Sequence, residues 1–504
     1  MASVSATVVK RFWPLRHSRY SGTLDVRTRA IWEMSENMKA LVESAGPWRI
    51  LYSGPCPPHQ GGSAVSSWLM LRQLASRGHH IRMVVPTTSR DLNVALPDPV
   101  PGNVDIDPFW MPSYDTNPFG PTPQSYLTRQ REQTFDRLRR AMSHQQWDLI
   151  LVGRESFLPG VPALAREFDV PCVGFIRGAM KLALSDTHPD KAFAATMIEA
   201  CRQADLIIPV ARHLEEDFLA AGYGNVAAIP NGVDLDLFKP SQERRDLRTT
   251  LGLTRNAKVV VHASNFIALK RIDHIVEAAR RLIAVDDEIV FLLIGDGPEH
   301  ADIRERCMRY GLVESFVFPG WVCNNDMADY YNLSDVAVLA SETEVMPRFI
   351  LEAMACGRPV VASDIPASPE IIDHGKDGLL YPGGDIDTLC ESVLTLLRDT
   401  DRRRRMGRAA RNKIAKCFDV RVIAEEFEDT VNRFLAGYRT TMLGRPGGAG
   451  HDQAAVLAIR PNRTLLSRHL APLDFENRAN PSIPPDTVGT RHSGPCRVRK
   501  WPVS

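Results

Sequence analysis

The strongest constraint on the fold is an alternation of short apolar segments with longer helical segments, which runs through most of the chain. The apolar segments are three to six residues long and rich in valine, isoleucine and leucine, and they predict buried strands. Alternation of this kind is typical of a parallel sheet covered by helices. The strands of a first series are predicted at Trp48–Tyr52, Ile81–Val85, Asp148–Val152, Cys172–Ile176 and Asp205–Val210.

A second series begins after the segment Pro230–Asp234 and repeats the same plan. A chain of 504 residues is long for one hydrophobic core and suggests two domains of ordinary size. We therefore predict the α/β class, with two doubly wound domains in succession. The strands of the second series are predicted at Lys258–Ala263, Ile289–Ile294, Phe316–Phe318, Asp335–Leu339 and Pro359–Ala362.

Charge and cysteine content narrow the class of protein. The 61 basic and 60 acidic residues nearly cancel, so the composition does not indicate a nucleic-acid partner. The nine cysteines include no C-x-x-C pair, which favours a reducing compartment over a disulfide framework or a zinc site. No apolar run reaches the roughly 18 residues of a membrane span, and the first residues lack the apolar core of a signal peptide. We expect a cytoplasmic protein, with peripheral contact to the inner face of the membrane left open.

Residues 342–360 carry the most informative site pattern. Pro347 suits the first turn of a short helix, and Gly357 suits its end. Glu344 then lies in the loop before the helix and Glu352 lies within it, about 12 Å further along the axis at 1.5 Å per residue. The helix N-terminus between them offers free N–H groups and a positive dipole end to an anion. This order fits the hydroxyl, diphosphate and ribose of a nucleotide-diphosphate sugar.

The same segment resembles the E-x7-E signature of family 4 of the retaining glycosyltransferases, which have the GT-B fold. The resemblance extends from about residue 48 to about residue 436 and implies two Rossmann-like domains with the active site in the cleft between them. It implies that Glu344 holds hydroxyls of the donor sugar and that Glu352 binds the ribose. The expected parts are an acceptor domain at 48–235, a nucleotide-sugar domain at 236–417 and a helix at 418–437 that crosses back onto the first domain.

The remaining segments receive separate predictions. Residues 1–47 have no clear period and are interpreted as a leader. Residues 87–146 are rich in proline and include the aromatic side chains of Phe109 and Trp110, and we interpret them as a long loop on the acceptor side. Residues 438–504 have little apolar periodicity and are predicted to be disordered, although a spurious extension of the reading frame would look the same.

The loop after the first strand of the second domain is expected to hold the donor phosphates. It matches a family segment in which an arginine and a lysine five positions apart contact them. Lys270 occupies the lysine position, but Asn265 occupies the arginine position and brings no charge. Whether Arg271 takes over that role is open. Ser264-Asn265-Phe266 followed by Lys270-Arg271 is also similar to the branch that makes N-acetylglucosaminyl malate, which is a short match and favours a UDP-type donor.

Other positions are assigned through the resemblance. Gly61 and Gly62 are expected to let the backbone approach the donor phosphate and the acceptor. Arg177 stands where the family has a histidine that contacts the reacting sugar; arginine cannot act as a base but can hold a hydroxyl or a phosphate. The backbone near Val322 is expected to meet the nucleotide base.

The segment after Glu344 departs from the family. The family has a glycine and an aromatic residue there, whereas this chain has Val345 and Met346 before Pro347. These three residues are still expected to contact the donor, although the pocket around the sugar must differ in shape. The sequence therefore predicts the class of donor more firmly than its identity.

Together with these residues, the family resemblance implies a retaining, metal-independent hexosyltransferase with Glu344, Lys270 and Arg177 as its catalytic group. The donor is expected to be a UDP- or GDP-sugar, used as a substrate without a resident cofactor. The acceptor would be a hydroxyl of a sugar, a lipid-linked molecule or a small molecule, as in polysaccharide or glycoconjugate biosynthesis. The alternative is a degenerate GT-B protein that binds nucleotide or glycan without turnover. A dehydrogenase is disfavoured because no G-x-G-x-x-G fingerprint is present.

Overall fold

The structure is a computed structural model that describes residues 46–57, 61–87, 90, 92, 99–111, 124–178, 184, 191–241 and 245–443. The predicted leader at 1–47 lies outside the described residues except for its last two positions. The predicted disordered tail lies outside them from residue 444 onward.

The first domain has a sheet of six strands connected mainly by helices. The strands are β1 (Arg49–Ser53), β2 (His80–Thr87), β3 (Val104–Trp110), β4 (Leu149–Val152), β5 (Cys172–Ile176) and β6 (Leu206–Pro209). The helices are α1 (Gly62–Ser76), α2 (Gln124–His144), α3 (Val161–Glu167), α4 (Lys191–Gln203) and α5 (Arg212–Ala220), with a 3-10 turn at Glu155–Phe157.

The second domain repeats this arrangement, and its helices continue to the end of the described chain. The strands are β7 (Lys258–Ala263), β8 (Ile289–Ile294), β9 (Phe316–Gly320), β10 (Val336–Leu339), β11 (Val360–Ser363) and β12 (Gly378–Tyr381). The helices are α6 (Arg245–Thr250), α7 (Ile272–Ile283), α8 (His300–Arg309), α9 (Met327–Leu333), α10 (Arg348–Ala355), α11 (Ser368–Ile371), α12 (Ile386–Arg398), α13 (Thr400–Cys417) and α14 (Val420–Leu443), with 3-10 turns at Ala268–Lys270 and Val313–Ser315.

Both sheets have the same strand order. The first runs β3-β2-β1-β4-β5-β6 and the second runs β12-β11-β10-β7-β8-β9, with adjacent strands parallel. The order reverses beside β1 in the first sheet and beside β7 in the second, so a crevice forms there at the carboxyl ends of the strands. The predicted fold class, two doubly wound α/β domains, is confirmed.

The amphipathic pattern of α7 shows how the second core forms. Ile272, Ile275, Val276 and Ala279 recur at the helical spacing i, i+3, i+4 and i+7, and all four are fully or almost fully buried. This face packs against β8 and α12 as part of one apolar cluster. Burying it fixes the helix that directly follows the predicted phosphate loop.

The prediction that residues 87–146 form a long loop is wrong. The segment contains β3 and α2, and only residues 112–123 and parts of 88–98 lie outside the described residues. β3 was hard to predict because it contains Pro108, which donates no backbone hydrogen bond. Since β3 pairs only with β2 and forms the edge of the sheet, the proline is tolerated there.

Helix α14 returns from the second domain and packs on the first, as the fold prediction requires. The ring of Phe427 stacks on Phe175 at 5.6 Å and meets Trp48 edge-on at 6.3 Å. Glu428 contacts His79 Nε2 at 2.6 Å and accepts a hydrogen bond from Arg77. The helix continues to Leu443, six residues beyond the predicted end at 437.

The carboxyl of Glu426 on α14 makes stability depend on pH. Burial raises its pKa to about 7, from a usual value of 4.5, and its Oε2 has no hydrogen-bond partner among the described residues. Because the folded protein retains a proton that the unfolded chain releases, stability falls as the pH rises through this interval. We expect Glu426→Gln to raise the melting temperature at pH 8 and to change it little near pH 4.5. Thermal unfolding at both pH values checks this, with exposed Glu425→Gln as the control; an equal shift at both values would contradict it.

Candidate active site

The helix α10 places the two predicted carboxylates as the sequence indicated. It begins at Arg348, one residue later than expected, and Pro347 precedes it in an extended conformation. Gly357 ends it with a left-handed φ of +72°, and its N–H donates to the Met354 carbonyl at 2.9 Å. Glu344 therefore lies in the loop before the helix, while Glu352 lies inside it.

Glu344 forms an ion pair with Lys270 across the two loops of the site. Lys270 Nζ donates to Glu344 Oε1 at 2.5 Å, and Ser341 Oγ donates to the same oxygen at 2.8 Å. The two charged side chains are 18% and 13% exposed, so little water screens the pair. The Glu342 N–H donates to the Leu269 carbonyl at 2.9 Å and holds the two loops together.

Glu352 forms a second ion pair, one helical turn into α10. Arg348 donates to its Oε1 at 2.7 Å and the Tyr331 hydroxyl donates to its Oε2 at 2.9 Å. Glu352 is only 6% exposed. Burial and the neighbouring Glu352 charge raise the pKa of Tyr331 well above its usual value, so this hydroxyl stays protonated as a donor.

Arg348 also reaches the first domain. Its Nη1 donates to Ser66 Oγ on α1 at 3.1 Å, and a Cβ added at Gly62 would lie 3.1 Å from its Cδ. The lack of a side chain at Gly62 thus leaves room for the arginine stem. The side chain is 11% exposed. Arg348 therefore links α10 to the start of α1, beside the Gly61-Gly62 turn.

Arg177 follows β5 in the first domain and is held firmly. Its Nε donates to the Gly153 carbonyl at 2.9 Å, it donates to Asn231, and its guanidinium lies 4.5 Å above the Phe175 ring. Burial lowers the pKa of Arg177 to about 10, and the nearby positive charge of Arg348 adds to the lowering. The two arginines therefore bring desolvated positive charge to the carboxyl end of the first sheet.

A buried histidine orients Ser264 in the loop after β7, residues 264–271, which is called the phosphate loop after its predicted role. His262 at the end of β7 is fully buried, and burial lowers its pKa to about 4, so the ring is neutral at pH 7. Its Nδ1 lies 2.9 Å from the Val338 carbonyl and must donate there, which leaves Nε2 as an acceptor. Ser264 Oγ, 2.7 Å away, must therefore donate to Nε2. Its remaining lone pairs can accept a hydrogen bond from a ligand hydroxyl.

Two glycines bring a second turn against the phosphate loop. The Phe266 N–H donates to the Asp296 carbonyl at 2.9 Å, and the Gly295 N–H donates to the Gly320 carbonyl at 2.9 Å. A Cβ at Gly295 would lie 1.9 Å from the Ser264 carbonyl oxygen, and one at Gly297 would lie 2.5 Å from that of Phe266. These glycines are required because backbone meets backbone.

We expect Gly297→Ala to destabilise the protein by roughly 1–3 kcal/mol, the usual cost of forcing extra volume into a packed site. The clash is with backbone atoms of Phe266, which cannot rotate away, so the loop that ends at Lys270 must also shift. Urea unfolding measures the change in free energy of unfolding. Gly102→Ala is the control, because no atom lies within 4 Å of its added Cβ. Equal stability of the two variants would contradict the prediction.

The other predicted residues differ in exposure. Asn265 is exposed, Val345 and Val322 are half-buried, and Met346 is buried. Arg271 does not point at the Lys270–Glu344 pair in this structure. Its guanidinium pairs with Asp273 at 3.0 Å and with Glu342 at 2.5 Å.

Sequence reasoning missed Arg348, Tyr331, Ser66 and His262. The spacing of Arg348 and Glu352 is i,i+4 on a helix, which could have indicated the ion pair. No local signal pointed to Tyr331 or Ser66, since they lie 21 and 282 positions from their partners. Among the described residues, no group of three or more histidine, cysteine, aspartate or glutamate side chains could hold a metal ion.

Comparison with known proteins gives the class. The family model for glycosyl transferases group 1 matches residues 243–413, and the model for glycosyltransferase family 4 matches residues 60–237. These two matches cover most of both domains and the residues of the candidate site. The chain belongs to family 4 of the glycosyltransferases and has the GT-B fold.

Individual relatives differ in substrate. The N-acetyl-alpha-D-glucosaminyl L-malate synthase of Bacillus anthracis is 24% identical over 74% of this chain and 94% of its own length. A UDP-Gal:alpha-D-GlcNAc-diphosphoundecaprenol alpha-1,3-galactosyltransferase of Escherichia coli is 32% identical over 40% of this chain and 53% of its own. A GDP-mannose-dependent alpha-(1-6)-phosphatidylinositol monomannoside mannosyltransferase of Mycobacterium tuberculosis is 28% identical over 46% and 62%.

Solved structures support the fold. Anabaena Alr3699/HepE, in complex with UDP and glucose, has a TM-score of 0.63 at 21% identity, covering 76% of this chain and 99% of that one. The sucrose-phosphate synthase of Thermosynechococcus elongatus has a TM-score of 0.64 at 21% identity, covering 79% and 100%. In the part of the chain that the structure describes, no helix is long and apolar enough to cross a membrane.

Proposed function

We propose that this protein transfers a hexosyl group from a UDP- or GDP-sugar to an acceptor hydroxyl with retention of anomeric configuration. Relatives named for UDP-galactose and for GDP-mannose support a nucleotide-sugar donor. The N-acetyl-alpha-D-glucosaminyl L-malate synthase, which this chain matches over 94% of its length, supports a hexosyl group as the part transferred. The short match of Ser264-Asn265-Phe266 and Lys270-Arg271 to that branch favours a UDP-sugar.

The observation that carries the proposal is the pair of ion pairs around the start of α10. Lys270–Glu344 and Arg348–Glu352 each join a hydrogen-bond donor for phosphate oxygens to an acceptor for sugar or ribose hydroxyls. A nucleotide sugar presents both kinds of group over a comparable length. A site for a simple phosphate would not need the two carboxylates, and a site for a neutral glycan would not need the two cations.

The proposed step breaks the bond between the anomeric carbon and the diphosphate oxygen, and its electron pair leaves with the nucleoside diphosphate. The acceptor oxygen forms the new bond to the same carbon from the same face. Its proton passes to the departing phosphate oxygen, so no base from the protein is required. Glu344 orients the donor sugar through its hydroxyls, while Lys270 and the N–H groups of α10 offset the charge that develops on the leaving group.

We propose that no divalent cation is needed, because fixed cationic side chains can stabilise the leaving diphosphate in its place. Arg177 supplies a further positive charge from the first domain. Initial rates in the presence and absence of EDTA test this point. Abolition of activity by EDTA and its recovery with Mg²⁺ or Mn²⁺ would contradict it.

The alternative is a protein that binds a nucleotide sugar without turnover. It has support from the departures at Asn265, Arg177 and Val345, whereas the paired Lys270, Glu344 and Glu352 favour catalysis. The decisive experiment measures release of UDP or GDP from a panel of UDP- and GDP-hexoses, with small-molecule and glycan acceptors, and determines the anomeric configuration of any product by NMR. Donor binding without nucleotide release under every condition would favour the alternative.

A further inference from the structure

Arg348 lies where the two domains approach each other, at the first residue of α10. It contacts Ser66 on α1 at 3.1 Å and Glu352 at 2.7 Å, and its stem passes Gly62. Its charge is close enough to Arg177 to lower the pKa of that side chain. The site thus holds two guanidinium groups: that of Arg348 pairs with Glu352, and that of Arg177 donates to the Gly153 carbonyl and to Asn231.

The phosphate loop itself carries less positive charge than the donor diphosphate requires. Asn265 is neutral and exposed, and Arg271 is engaged with Asp273 and Glu342. Lys270 is the cation of that loop that reaches the site, and it is already compensated by Glu344. A diphosphate with two negative charges is stabilised by further cations nearby, and Arg348, whose side chain is 11% exposed, is the one at the first residue of α10.

Arg348 could supply this charge by exchanging its partner Glu352 for the diphosphate. A guanidinium has five N–H donors, and its forked arrangement can bind two oxygens of a phosphate just as it binds two oxygens of a carboxylate. Ribose hydroxyls that donate to Glu352 replace the donor that Arg348 provides in this structure. The arginine can then turn to the diphosphate beside the helix N-terminus, with no carboxylate left unpaired.

We propose that Arg348 binds the diphosphate of the donor while the ribose takes its place on Glu352, an assignment that rests on the proposed function. It makes Arg348 a donor-binding residue that also ties the nucleotide to α1 of the first domain. Arg348 on α10 then supplies the positive charge that the family's arginine would bring at the position of Asn265.

The test compares affinities for UDP and uridine, measured by isothermal titration and by competition. Wild type, Arg348→Met, Arg348→Lys and the surface control Arg281→Met are used; Arg281 pairs with Glu277 and Asp387 on the outside of α7. We expect Arg348→Met to bind UDP about 10- to 100-fold more weakly, the usual effect of losing hydrogen bonds to a charged group, and uridine within about threefold of wild type. Arg348→Lys should recover part of the loss.

A double variant tests whether the loss of UDP affinity comes only from the unpaired charge of Glu352. Arg348→Met leaves the buried Glu352 without its cation, so Arg348→Met/Glu352→Gln is compared with Glu352→Gln alone, with melting temperatures to verify folding. The selective loss of UDP affinity should persist in this comparison. Equal weakening of UDP and uridine, or unchanged UDP affinity, would overturn the proposal for Arg348. If the wild type binds neither UDP nor GDP, the proposed function itself fails.

Discussion

Replacing Lys270 with alanine is expected to lower the turnover number by about 10²–10³, the usual effect of removing one preorganised donor from a developing oxyanion. The ammonium lies in a site that is mostly closed to water, 2.5 Å from Glu344, so its charge is poorly screened. Initial-rate kinetics at saturating donor measure the effect. Lys258→Ala is the matched control, because Lys258 lies at the opposite end of β7 and pairs with Asp286 at 2.7 Å.

The ion pair with Glu344 adds a second expectation to this experiment. Since the two side chains hold each other in position, the loss in Lys270→Ala/Glu344→Gln should be far smaller than the product of the two single losses. A double-variant cycle of turnover numbers measures this coupling. Near-normal rates in Lys270→Ala, or losses that simply multiply, would show that the pair does not act on the leaving group as proposed.

Substituting Glu352 with glutamine is expected to weaken UDP or GDP binding by about 10- to 100-fold. The reason is the loss of a charge-assisted hydrogen bond to the ribose, which contributes about 1.5–3 kcal/mol. Glutamine is preferable to alanine, because alanine would remove the partner of both Arg348 and the Tyr331 hydroxyl in a buried place. Isothermal titration with the nucleotide measures the change.

The matched control for this substitution is Glu277→Gln. Glu277 also forms an i,i+4 ion pair with an arginine, but on the exposed side of α7. Its loss should leave nucleotide affinity unchanged. If Glu352→Gln has the nucleotide affinity and the melting temperature of the wild type, Glu352 does not bind the ribose.

Much of the fold could be predicted because its signals are local. The bounds predicted for β5, β7 and β8 are those of the structure, since each is a run of five or six mostly apolar residues. The helix α10 was predicted from its proline, its glycine and the apolar residues between them. β12 and β3 were missed, and in β3 Pro108 masks the strand pattern.

The candidate site also has features that the sequence predicts and contacts that it does not predict. The sequence by itself determined that Glu344 precedes a helix, that Glu352 lies inside it and that Lys270 ends a loop after a buried strand. Spacing, capping and periodicity act over a few residues, so they can be read along the chain.

Only the tertiary structure decided which groups meet. Lys270 and Glu344 are 74 positions apart, and they pair because β7 and β10 lie side by side with their carboxyl ends at one edge. Arg348 and Ser66 are 282 positions apart and meet through the packing of two domains. Contacts of this kind depend on strand order and domain arrangement. Local sequence patterns carry no information about either of them. For that reason the sequence predicted the carboxylates of the site but not the arginine that joins Glu352 to the first domain.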